Sequence, residues 1–383
     1  MKKFFWTLIV SYYIFLYWYS VHFLSFSIFE VQSLKEFYLL NILFNFVTRF
    51  AKNDYMIRLI PLMFSFFSLI LFYEISKFYL KKLKNKYFAT LIFIFIPGFI
   101  ISSLILNKAI ILIFFTLLFI FTYKKYRIFS YFLLISYVFI DYSFVALYFS
   151  LIFFALYKKD NKLLILVLIL MALNANYFNY KIDGKPKGFF LDVFGTYSLI
   201  FSPFVFVYFL YSFYKSFFIK KDILFFIGSF SFLISIILSF RQRIRIDDFA
   251  PFVLPYVIYM IRIFLHSYKV RLPKFRNNYK ILFVFLFSSM ILFDFGIFFF
   301  NAPYVKKIRG GFYFVRPLSK ILKNNKIDYI NCNNKNLCKA LNFYGIKNGN
   351  RYELYFSKSD FKVSIFHNKK RIKVINVSKI STL

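Results

Sequence analysis

Long apolar runs, broken by short polar stretches, recur along this chain almost to residue 300, and their lengths set the first expectation. A helix that crosses a bilayer needs about 20 mostly apolar residues. Runs that reach or approach that length lie at 4–21, 56–76, 87–106, 108–123, 128–141, 143–157, 163–180, 194–214, 223–240, 250–268 and 281–300. They predict a mostly α-helical, polytopic transmembrane helix bundle of about eleven spans. The stretch 128–157 reads as a hairpin turning near Asp141, because one long helix there would put the basic loop 269–280 on the wrong side. The basic start and first apolar run are followed by no small-residue cleavage site, so the first span is expected to be retained.

Beyond Phe300 the pattern changes. Short alternating stretches, KIDYINC, RYELYF, FKVSIFH and KRIKVINV, are separated by Asn and Gly turns such as KNGNR. Alternation of that kind predicts strands. LCKALNFYGI reads as a short helix ending at Gly345. The expected organisation is a transmembrane domain over 1–300, with a first external loop at 22–55, and a small external α/β domain over 301–383. Inside the loop, residues 34–52 are expected to be helical. Asn41, Asn45, Thr48 and Lys52 form one polar stripe, with Phe37, Leu40, Phe44 and Val47 elsewhere on the wheel. Such a helix is too polar to span and is expected to lie in the membrane interface.

Composition agrees with this picture. The 383 residues are 61% hydrophobic, and the mean hydropathy is +0.65. A soluble domain is less apolar than this. The net charge of +36 would suggest nucleic acid in a soluble protein. Here it reads as Lys and Arg in loops, drawn to anionic headgroups, and nucleic acid is excluded as a partner. One set of loops (Lys77–Lys86, Lys124–Arg127, Lys158–Lys162, Lys215–Lys221 and Lys269–Lys280) concentrates the basic residues. The alternate set carries Glu30, Glu36, Asp54, Asp141, Asp183, Asp192, Asp247 and Asp248 out of 15 acids in all. The positive-inside rule makes the basic set cytoplasmic, the N-terminus inside and the C-terminal region outside. The expected location is a bacterial inner (plasma) membrane, with the working face external. Cys332 and Cys338 make no metal-ligand pattern and can pair if their segment is external. His22, His266 and His367 share no spacing, and no Gly-rich phosphate loop is present.

Charges at membrane level cost about 2.5–3.5 kcal/mol each, so they are the first candidates for function. Glu30, in the apolar setting SIFEV, could act as a base whose pKa rises in a dry site. The bland alternative is an interfacial acid without a role. Asp54 and Arg58 are spaced to pair at i,i+4, as a structural clamp or as a site pair. In RQRIRIDDFAP, Arg241, Arg243 and Arg245 alternate with Gln242, Ile244 and Ile246, so an extended backbone points three guanidiniums one way. Guanidiniums grip phosphate oxygens in forked pairs. The alternative is a loop neutralised by Asp247 and Asp248. Lys108, in LILNKAI, is a lone external cation that could join the arginines, and Asp141 is expected only to form the hairpin turn.

The run from Tyr55 to Ala109 resembles the second and third spans of lipid-carrier-dependent glycosyltransferases of the GT-C superfamily. That group includes protein O-mannosyltransferases and the aminoarabinose transferases of lipid A. The likeness rests on Arg58-Leu59 with Pro61, a basic turn, Pro97-Gly98 and a polar group near Lys108. It covers roughly residues 1–125 and, more loosely, RQRIRIDDFAP. The family acid is usually Asp, often in an Asp-Glu pair, whereas this chain carries Glu30 after Phe29. The resemblance implies transfer of a sugar from a polyprenyl-phosphate donor to a glycan, lipid or protein acceptor on the external face. Glu30 would deprotonate or hold the acceptor, and Arg241, Arg243 and Arg245, with Lys108, would hold the departing lipid phosphate. No cofactor is certain, and a divalent metal is possible. Glu30 could ligate a divalent metal, but no second carboxylate is placed to help it. Three other classes stay open, one of them a structural membrane protein without activity. A transporter or flippase of lipid-linked sugars would show charged or broken helices at the midplane or an internal repeat. A glycan polymerase or ligase would place a large external loop between late spans.

Overall fold

Backbone amides in hydrocarbon have only one another as partners, and a helix satisfies them within one segment. A chain this apolar is driven to helices, which dominate the fold. A computed structural model describes residues 2–179, 188–219, 221–299, 312–357, 362–367 and 370–376. Asp183 and the junction at residues 300–311 lie outside the described residues.

The helices before residue 300 are α1 (Lys2–Phe23), α2 (Ile28–Glu36), α3 (Tyr38–Phe50), α4 (Asp54–Tyr79), α5 (Leu83–Ile94), α6 (Pro97–Leu104), α7 (Lys108–Lys125), α8 (Arg127–Tyr137), α9 (Phe144–Lys158), α10 (Asn161–Tyr177), α11 (Phe190–Phe201), α12 (Pro203–Ser216), α13 (Ile223–Ser239), α14 (Ala250–Val253), α15 (Val257–Val270) and α16 (Pro273–Phe299). Among the described residues four helices are long and apolar enough to cross a membrane: Lys3–Phe23, Asp54–Tyr79, Ala250–Val270 and Pro273–Gly296. The number is six if two bent pairs each count once. Apolar helices of this length suggest a membrane protein.

The bends have local causes. The run expected at 87–106 breaks by 62° before Pro97, whose ring cannot continue the ladder. The run at 194–214 breaks by 106° at Ser202, which adopts φ +68° just before Pro203. The stretch 128–157 is two helices, α8 and α9, with the turn at residues 138–143. The helix expected over 34–52 is two helices as well. It starts earlier, at Ile28, and breaks at Phe37, which is extended (φ −123°, ψ 104°) and buried.

The chain divides into two compact units, Met1–Leu62 with Leu104–Asn107 and Gly296–Leu383, and Met63–Ser103 with Lys108–Phe295. The expected first external loop therefore packs with the C-terminal segment. In that first unit the C-terminal part consists of α17 (Val315–Asn324), β1 (Tyr329–Cys332), α18 (Lys335–Phe343), β2 (Lys347–Ser357), β3 (Lys362–His367) and β4 (Lys370–Asn376). The sheet order is β1-β2-β3-β4, with β1–β2 parallel and the other pairs antiparallel. Phe314, Leu318, Leu322, Leu337, Leu341 and Leu354 form its core. The four strands fall on the stretches that alternate in the sequence, and α18 falls on the stretch read as a short helix. KNGNR does not end a strand. It lies inside β2, where the register with β1 jumps from Asn348 to Glu353. Gly345, at φ +91°, ends the turn after α18, a conformation suited to a residue without Cβ.

Two polar seams close the second unit. At one end Lys124 pairs with Asp222, which also accepts from Tyr79 Oη at 2.8 Å, and Arg127 pairs with Asp160. At the other, Lys108 meets the α8–α9 turn and the loop after α13. Between them most side chains are aromatic and aliphatic, as in the stacks of Phe72 on Phe93 and Phe153 on Phe230, with buried hydroxyls such as Ser150 and Ser231 bonded to each other at 3.1 Å.

Candidate functional site

The sequence SIFE at residues 27–30 makes a reciprocal cap at the start of α2. Ser27 Oγ accepts from Glu30 N at 3.2 Å, and Glu30 Oε2 accepts from Ser27 N at 2.8 Å. This satisfies two of the helix's orphan donors. The carboxylate has further partners. Arg58 Nη1 pairs with Oε1, Arg58 Nη2 lies 3.3 Å from Oε2, and Leu106 N donates to Oε1 at 2.8 Å. Glu30 is 0% and Arg58 1% exposed. Arg58 also donates to Ser25 O at 2.9 Å and Leu104 O at 3.1 Å. A carboxylate whose two oxygens are engaged in this way, with no solvent, is built to hold chain segments together. The S-x-x-E cap was visible in the sequence; the partner across 28 residues was not.

The i,i+4 pairing expected of Asp54 and Arg58 does not form, because each finds a better-placed partner. Asp54 pairs with Arg316 Nη2 at 2.7 Å and accepts from Tyr344 Oη at 2.8 Å. Arg316 also donates to Val21 O and Leu24 O at 2.7 Å, neutralising carbonyls at the end of α1. Burial, and Asp54 beside it, push the Tyr344 phenol well above its usual range. Tyr344 therefore stays a neutral donor.

A second cluster lies in the other compact unit. Lys108 Nζ meets Asp141 Oδ1 at 3.2 Å, Ser143 Oγ at 3.0 Å and Asp248 Oδ1, and sits 4.1 Å from the centre of the Tyr142 ring. Lys108 is 3% exposed. The expected free cation for phosphate is therefore already neutralised, since two carboxylates share one ammonium. Asp248 Oδ2 accepts from Tyr142 Oη at 2.8 Å, and Oδ1 from Ser143 Oγ at 3.1 Å. Asp141 does more than turn the chain. Its Oδ1 is fixed by Lys108 and by Ser143 N at 2.8 Å, while its Oδ2 has no partner among the described residues. Asn174 Nδ2 holds the turn from below, donating to Val138 O at 2.8 Å and Asp141 O at 3.2 Å.

The arginine loop is attached to this cluster. Asp248 N donates to Arg245 O at 3.1 Å, starting the short turn Ile246–Asp248. Arg245 is extended (φ −90°, ψ 119°). Arg241, Arg243 and Arg245 are exposed, while Gln242, Ile244 and Ile246 are partly buried. Asp247 is partly buried, and Asp248 is turned to Lys108. Glu30 and the arginines belong to different compact units.

One acid escaped the sequence reading. Asp294, in α16, is 6% exposed, and neither carboxylate oxygen has a hydrogen-bond partner among the described residues. A lone acid inside the apolar run 281–300 was the signal for it. Among the described residues no three His, Cys, Asp or Glu side chains converge as a metal site. Cys332 and Cys338 form a disulfide. The chain matches no protein-family model, no curated protein and no solved structure.

Proposed function

We propose that the protein is a membrane glycosyltransferase that moves a sugar from a polyprenyl-phosphate donor to an acceptor hydroxyl or amine on the external face, with Asp141 as the proton acceptor. The observation that carries this reading is the paired geometry of one cluster: a carboxylate fixed by one oxygen with the other free, joined through Asp248 to a loop of three exposed arginines. In the reaction the bond from the anomeric carbon to the phosphate oxygen breaks. The bond to the acceptor forms, and the acceptor proton passes to Asp141 Oδ2. Arg241, Arg243 and Arg245 take the charge that grows on the leaving phosphate. Lys108 and Ser143 are positioning residues, and so is the Glu30–Arg58 pair, which holds the first external loop.

The same reading takes the chain through a bacterial inner membrane eleven times, N-terminus inside and C-terminal region outside. Two features support it. The Lys- and Arg-rich loops share the end of the second unit marked by Lys124, Arg127 and Asp222, while Lys108, Asp141 and Asp248 mark the other. The Cys332–Cys338 disulfide suits an oxidising compartment. At 11 residues α8 is about 17 Å long, so it crosses only with the turn that follows it or where the bilayer thins.

Purified protein in liposomes with polyprenyl-phosphate sugars should release free polyprenyl phosphate when acceptor is supplied. No release with any of a panel of hexose and pentose donors would contradict the reading. Asp294 favours a second one. An unpaired buried acid in a membrane helix suits an ion-coupled transporter or flippase of lipid-linked sugars, which would move the donor across the bilayer without consuming it.

A further inference from the structure

The polar stripe of α3, carried on by Lys52 just past its end, faces a solvent-open cavity. Asn41, Asn45, Thr48 and Lys52 line a cavity of about 430 Å³ whose other walls include Lys35 of α2 and Lys339 and Asn342 of α18. Its floor is apolar, with Phe26, Leu34 and Phe343. Three lysines and no acid line it. Lys35 Nζ is held by Asn336 Oδ1. Lys52 and Lys339 are exposed and have no ion-pair partner among the described residues. The amides of Asn41, Asn45 and Asn342 add groups that both donate and accept, and the Thr48 hydroxyl, which donates to Phe44 O at 2.9 Å, adds an acceptor. Such a lining suits an anion that also carries hydroxyls, and the volume fits a headgroup of that size.

The neighbouring face of α3 says where that anion comes from. Tyr38, Ile42, Phe46 and Phe50 recur every fourth residue and are exposed, Tyr38 by 75% and Phe50 by 71%. This stripe runs about 110° around the helix from the polar one at 3.6 residues per turn. Four large apolar side chains in a row belong in lipid. A helix so placed brings the edge of the cavity to headgroup level.

We propose that the cavity between α2, α3 and α18 holds the phosphate-bearing, hydroxylated headgroup of an anionic lipid, whose acyl chains lie along the Tyr38–Phe50 stripe. It is separate from the Asp141 cluster and stands whether or not the protein transfers sugar. Lys52 and Lys339 bind the phosphate, and the Asn and Thr side chains meet the hydroxyls.

Native mass spectrometry of the full chain in mild detergent tests this without turnover. Phosphatidylglycerol is the probe, with neutral phosphatidylcholine and soluble glycerol phosphate as the other arms. Wild type should retain phosphatidylglycerol about tenfold more tightly than phosphatidylcholine, and more tightly than glycerol phosphate. The double variant Lys52→Gln, Lys339→Gln should weaken phosphatidylglycerol binding about 25-fold, or about fivefold per lysine for a basic residue at an anionic surface. Lys274→Gln with Lys280→Gln, which removes the same charge from exposed sites on α16, should leave it unchanged. Equal binding by wild type and the Lys52/Lys339 variant overturns the site. Glycerol phosphate bound as tightly as the lipid overturns the lipid source. Lys52→Gln alone, read the same way, covers the case in which the double variant melts early.

Discussion

Glu30 and Asp141 are both buried acids facing a cation, and the difference between them lies in what each oxygen does. Glu30 has both oxygens engaged, by Arg58 and by the amides of Ser27 and Leu106. Replacing it with Gln leaves the Arg58 guanidinium buried without its counter-charge. Breaking a buried pair in this way costs about 3–5 kcal/mol. Glu30→Gln should therefore lower the melting temperature of the detergent-solubilised protein by several degrees, measured by size-exclusion of heated samples; an unchanged melting curve would contradict a structural role. Asp141→Asn should melt like wild type, because Lys108 keeps Asp248. The sequence made both acids visible as rare charges among apolar residues. It could not say which one keeps a free oxygen, because their partners, Arg58 and Lys108, come from other segments of the chain.

At the scale of elements, α3 was legible as an amphipathic helix because its polar residues recur with the helical period. What covers that stripe was not legible, because α18 lies nearly 300 residues away in the chain. The break at Phe37 was hidden too. Nothing in EFYL signals a stop, and the kink comes from burying the Phe37 ring. Spin labels on single cysteines test the orientation of α3, since the two native cysteines are paired with each other. Labels at positions 42 and 46 should relax with lipid-soluble oxygen, and labels at 45 and 52 with a water-soluble nickel chelate. The reverse pattern would contradict the interfacial placement. In the second unit α13 passes close to Tyr256. A Cβ on Gly228 would sit 2.7 Å from the Tyr256 Cβ, so Gly228→Ala should cost about 1–3 kcal/mol, read as an earlier thermal transition.

For the whole molecule, hydropathy located nearly every helix, because in lipid the backbone has no alternative to helix. The bends at Pro97 and Ser202 escaped it, since an apolar run reads the same whether straight or broken. The period-two stretches of the C-terminal segment marked its strands for the same reason that the long runs marked helices. The association of the first loop with that segment rests on single side chains such as Arg316 and Tyr344, which leave no period to detect. The sidedness proposed above is testable in intact cells. A membrane-impermeant maleimide should label Arg243→Cys from outside and Lys82→Cys only after permeabilisation. Labelling of both from the same side would contradict the topology.

The central claim is that Asp141 takes a proton during sugar transfer, and acceptor-dependent release of polyprenyl phosphate in liposomes tests it most directly. With wild type and Asp141→Asn reconstituted at equal amounts and equal melting temperature, the variant should lose release by about 10²–10⁴-fold, the usual worth of a positioned base. Release by Asp141→Asn at the wild-type rate would contradict the account.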